Sequence, residues 1–88
     1  MKYVKKPVVI EAWKTGSDEL VPDWLQEAFD TEKVISHGDS YVIDTLEGAM
    51  TCGNGDYIIR GVHGELYPCK GDIFHETYSK IKTYYKEG

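Results

Sequence analysis

Tyr57, Arg60, His63, Tyr67 and Lys70 fall within one fourteen-residue stretch, and together they could do chemistry. An aromatic face stacks on a nucleobase, worth about 1–3 kcal/mol per ring. Arginine grips phosphate through a planar fork, and lysine meets it as a point charge. If residues 57–60 and 65–69 form a hairpin, several of the five share a face, and the set suits a nucleotide-like ligand. The competing reading is two half-buried strand tyrosines flanked by solvated cations. The chain carries seven tyrosines, and tyrosine favours binding surfaces without selecting a partner.

Other chemistries find weaker support. Cys52, His63, Cys69 and His75 are the soft ligands considered, and no pair has the spacing of a structural zinc site. His75-Glu76 does not continue into a zincin motif, because position 79 is serine. Cys69 and His63 could meet across a turn, yet only Lys70 supplies the positive setting a thiolate needs. Asp56, Glu65 and Asp72 are candidate acids, but each lies near a turn. Asp56 is expected to bind its own turn backbone, and Asp72 to cap a helix. The glycine turns at 53–55 and 61–64 match neither phosphate-loop pattern. We therefore expect no catalytic residues, no metal and no cofactor.

These side chains must be positioned by a small scaffold. The chain has 88 residues, enough for one domain. Such a chain hides little more than ~60% of its unfolded surface, so a homo-oligomer is a natural supplement. A net charge of -5 and a single arginine argue against duplex nucleic acid. No apolar run is long enough to span a bilayer. The apolar stretch Val8-Val9-Ile10 is too short for a signal peptide, so a cytoplasmic protein is expected. Two cysteines 17 apart read as buried, reduced thiols, with a disulfide or metal ligation as the alternatives.

Hydrophobic patterning predicts an α+β fold. Residues 2–13 read as a strand covered on both sides, because both of its faces are partly apolar. Val21, Trp24, Leu25, Ala28 and Phe29 form one helical stripe, placing a helix near 20–30 with Pro22 in its first turn. From 33 to 69, turn signals recur every 8–10 residues, which predicts a meander. Together these give one curved antiparallel sheet of five or six strands. Asp72, Ile73, Phe74, Thr77 and Tyr78 predict a short helix at 72–79. Residues 80–88 fit helix, strand or tail.

Three stretches carry a resemblance: K-K-P-V-V-I-E-A at 5–12, T-L-E-G-A-M at 45–50 and G-D-Y-I-I-R-G-V-H-G-E-L-Y-P-C-K-G-D-I-F-H-E-T-Y at 55–78. They resemble a family of small phage and prophage proteins of Gram-positive bacteria. Asn54 and Gly71 stand where that family usually has proline, and residues 14–44 match nothing in it. The resemblance implies a phage accessory protein acting inside an infected bacterium. Small phage proteins of this kind often counter host defence. The expected function is a non-enzymatic binding protein that sequesters a nucleotide immune signal. Its alternatives are a protein that blocks a host defence protein directly, or a structural or regulatory phage protein.

Overall fold

Pro22 decides where the first helix begins. The computed structural model, which describes residues 1–4 and 7–80, places Pro22 at the N-cap with extended backbone (ψ 159°). Its carbonyl accepts from the Leu25 and Gln26 amides at 3.0 and 2.9 Å. Helix α1 is therefore Asp23–Asp30, three residues shorter at its start than expected. Proline has no N–H to offer and disfavours helical backbone in the residue before it. Asp23 sits in the first turn, facing the positive end of the dipole. At the other end Glu32 takes φ 63° while Lys33 N–H donates to the Ala28 carbonyl at 2.8 Å. That is a left-handed C-terminal cap, here closed by glutamate instead of glycine.

The strands are β1 (Glu11–Lys14), β2 (Val34–His37), β3 (Ser40–Thr45), β4 (Gly48–Cys52), β5 (Tyr57–Arg60) and β6 (Leu66–Cys69). Helix α2 is Gly71–Thr77. The class is α+β, with six antiparallel strands among the described residues, but they do not form one curved sheet. They form two three-stranded sheets, ordered β1-β5-β6 and β2-β3-β4. The meander prediction fails at one connection. Gly53-Asn54-Gly55-Asp56 makes a turn, with Asp56 N–H donating to the Gly53 carbonyl at 3.1 Å. It does not close a hairpin; the chain leaves the second sheet there and enters the first.

Thr15 explains the crossing. It is 1% exposed, and its hydroxyl lies within bonding distance of the Gly53 and Asp56 carbonyls (2.9 and 3.0 Å) while accepting from Gly55 N–H at 2.8 Å. Its amide also donates to Asp56 O at 2.9 Å. The turn is thereby fastened to the end of β1, and β5 must pair with β1 instead of β4.

The expected long strand at 2–13 is also corrected. Residues 5–6 of that span lie outside the described residues; among the described ones only Glu11–Lys14 pairs, and β1 is an edge with β5 as its one neighbour. Val8 and Val9 remain exposed because β5 ends at Arg60, opposite Glu11, and offers no partner beyond it. The core holds Trp13, Leu25, Ala28, Val34, Ile43, Cys52 and Ile58. It draws from both sheets and α1, which is how so short a chain encloses an interior. Residues 81–88 lie outside the described residues, and with them most of the ambiguous tail.

Candidate functional site

Strand alternation decides which of the five singled-out residues can meet. Tyr57 opposes Cys69, Ile59 opposes Tyr67, and Arg60 opposes Leu66. Directly opposed residues share a face, and neighbours along a strand do not. Tyr57 and Tyr67 therefore lie on one face of the first sheet, and Arg60 on the other. Arg60 opposes Glu11, and its guanidinium donates to the Glu11 carboxylate at 2.8 Å. This pair is solvent-exposed on both sides, so its effect on stability is about 0–1 kcal/mol. His63 sits in the β5–β6 turn, where its backbone N–H, not its ring, is engaged, donating to Glu65 Oε1 at 2.9 Å. Lys70 lies beyond β6 with its ammonium 3.8 Å from Asp56 Oδ2. The five thus divide into a tyrosine pair on one face, an ion-paired arginine on the other, and two residues in connections.

Asp56 is a hub for backbone. Its carboxylate accepts from Gly53 N–H and from Gly71 N–H, both at 3.2 Å. It ties the sheet-crossing turn to the first residue of α2. Gly71 must be small, since a Cβ there would lie 2.8 Å from the Gly55 carbonyl oxygen. Proline at 71 would also lack the N–H that Asp56 holds. Asp72 does not cap α2 as expected. The helix begins one residue earlier, Lys70 occupies the cap position, and no side chain caps it. Asp72 instead accepts from the adjacent Ile73 N–H at 2.8 Å.

This anchoring brings α2 over the Tyr57–Tyr67 face. Phe74 stacks on Tyr57 with ring centroids 3.7 Å apart and an 8° interplanar angle. Tyr78, one turn later, is 5.0 Å from Phe74. His75 meets Tyr57 edge-on at 5.7 Å, with Nε2 3.5 Å from the tyrosine hydroxyl. Between these rings and the extended segment before β1 runs a groove of about 400 Å³. Val8, Val9, Ile10 and Ala12 line its apolar side, and His75, Lys80 and Glu19 add polar groups. Phe74 and Tyr78 were visible in the sequence only as a helical i, i+4 pair. Nothing in that spacing says which sheet face they cover.

Tyr67 adjoins the groove's aromatic cluster. Burial first, then contact with Tyr78, pushes its phenol up to about 12, so it stays neutral across the physiological range. The cysteines are free thiols. Burial, followed by the nearby Asp56 carboxylate, raises Cys52 to about 11, and the same two causes raise Cys69. Such thiols are poor nucleophiles at neutral pH. No group of three metal-ligating side chains occurs among the described residues.

The Cys52 shift has a measurable consequence. Its folded value lies above the ordinary 9.0, so the native state keeps a proton that the unfolded chain releases. The stability this contributes is complete below pH 9.0 and is lost as pH rises toward 11. Between pH 9 and 10, below the ordinary range of Tyr67, urea titrations should show stability falling, at most by about 1.4 kcal/mol per pH unit from this group. Cys52→Ala should make that fall shallower, leaving the part that the raised Cys69 thiol contributes. An equally steep decline in the variant refutes the assignment.

No protein-family model, curated protein or solved structure matches the chain, so what it binds must be argued from the groove itself.

Proposed function

We propose that this protein is a non-enzymatic binding protein that holds a small nucleotide-like ligand in the groove beside α2. One observation carries the reading: three aromatic rings, Tyr57, Phe74 and Tyr78, are gathered along one apolar cleft with His75 and Lys80 on its lining. A base would stack against the rings, and its phosphate would be met by the lysine and the histidine. Arg60, on the opposite sheet face, plays no part in this arrangement, and Tyr67 bonds to Tyr78 through its hydroxyl. The raised thiols and the structural use of Asp56 favour holding a ligand over converting it. With the resemblance to phage proteins, the role that follows is sequestration of a nucleotide immune signal in the cytoplasm of an infected bacterium. Blocking of a host defence protein is the alternative.

Native mass spectrometry tests this on protein recovered from bacteria whose nucleotide-signalling defence has been triggered. The expected result is an adduct of nucleotide mass, released chemically intact on denaturation. Release of a cleaved product would mean turnover. A bare protein that instead co-purifies with a host protein would replace sequestration by direct blocking.

A further inference from the structure

Among the described residues, strand β2 is an edge with β3 as its one neighbour. Its sequence, Val34-Ile35-Ser36-His37, contains no proline and no inward-pointing charge, the usual devices against edge pairing. The edge strand β6, by contrast, carries Pro68. Ile35 is 51% exposed on the outer face of the second sheet, beside Val42 and away from the core. A shallow hollow of about 440 Å³, lined by Phe29, Glu32, Val34, Ile35, Ser36 and Tyr41, runs along the same edge.

The backbone pattern of this edge is self-complementary. Asp44 N–H donates to the Lys33 carbonyl at 2.8 Å, so Lys33 and Asp44 are a hydrogen-bonded pair. Antiparallel ladders alternate, which makes Ile35–Val42 and His37–Ser40 the next such pairs. The N–H and C=O groups of Val34 and Ser36 therefore point outward from β2. They are spaced two residues apart around Ile35.

We propose that β2 pairs antiparallel with β2 of a second copy of this chain across a two-fold axis at Ile35. Val34 of each copy then exchanges two hydrogen bonds with Ser36 of the other. The two Ile35 side chains meet in the close, non-hydrogen-bonded position and cover each other. The second sheets of the two copies, β2-β3-β4 in each, become one sheet of six strands. The β2 edge shares no lining residue with the ligand groove, and its pairing does not rest on ligand binding.

Sedimentation velocity and a cross-link test it. The wild-type chain should sediment as a dimer at micromolar concentration. Ile35→Glu places like charges face to face on the axis and should weaken the dimer at least ~100-fold. Ser36→Pro deletes an outward N–H that the monomer does not use and should also give monomers. Circular dichroism checks that both remain folded. Ile35→Cys supplies a test that needs no disruption. Opposed residues at such positions have Cα atoms about 4.5 Å apart, within the roughly 4.4–6.8 Å span of a disulfide. Cys69 is only half-buried, so the test is made in a Cys69→Ser background: mild oxidation should give a covalent dimer linked at position 35 that Cys69→Ser alone does not form, Cys52 being buried. A monomeric wild type, or a dimer that survives both disrupting variants and does not cross-link at 35, overturns the proposal.

Discussion

Thr15→Val should lower the stability of this protein by about 2–3 kcal/mol, although it preserves the volume and β-branching of the side chain. The reason is the orphan it creates. Gly53 O and Asp56 O each keep another backbone donor, from Asp56 and Thr15 respectively. Gly55 N–H has the Thr15 hydroxyl as its acceptor and loses it. A buried donor left without a partner costs about 1–3 kcal/mol, and the loss of the hydroxyl's own donated bond adds to that. For a chain whose total stability is expected to be roughly 0.05–0.15 kcal/mol per residue, this is a large fraction. The midpoint should fall by about 10–20 °C, since each kcal/mol moves a small domain by about 4–8 °C. Thr15→Ser keeps the hydroxyl, loses only a methyl group, and should be affected less. Thermal denaturation of both variants decides the matter. A valine variant as stable as the serine one would mean that the hydroxyl does not hold the crossing turn.

Phe74→Leu should weaken nucleotide binding by about 5–150-fold, the equivalent of one lost base–aromatic stack. Leucine retains an apolar anchor for α2, so the helix should stay on the sheet, and far-ultraviolet circular dichroism checks this. Tyr57→Phe keeps the ring and removes only the hydroxyl near His75 Nε2; its affinity should stay within about 2-fold of wild type, because stacking carries the binding. Arg60→Ala is the informative control. Its partner Glu11 lies with it on the opposite face, so the variant should bind as wild type does. Calorimetric titration with mononucleotides and cyclic dinucleotides provides the measurement. Full affinity in Phe74→Leu together with loss in Arg60→Ala would move the site to the other face of the sheet.

The two predictions draw on different levels of information. Helix α1 was legible because Val21, Trp24, Leu25, Ala28 and Phe29 repeat with the helical period. Strand β5 was found at its observed limits, Tyr57–Arg60, because turn residues bound it closely on both sides. Asp56 was expected to serve its own turn, and it does, through Gly53 N–H. Its second bond, to Gly71, spans fifteen residues and has no local signal. The extent of β1 was overestimated for a related reason. Val8 and Val9 have strand propensity, but a strand requires a partner, and β5 stops opposite Glu11.

What the sequence determined by itself is what depends on neighbours along the chain: the α+β class, two helices, five or six strands and most of the turns between them. Tertiary structure decided which strands share a sheet, which face each tyrosine occupies and what α2 covers. Thr15 shows why. One buried hydroxyl, about forty residues away in sequence, turns a hairpin signal into a crossing between sheets. The face that Tyr57 shares with Tyr67 then follows from the register of β5 against β6, and that of Arg60 from the same alternation. Composition can assemble the residues of a binding site, but a period-two strand sends adjacent side chains to opposite faces. Only pairing across the sheet settles which of them meet.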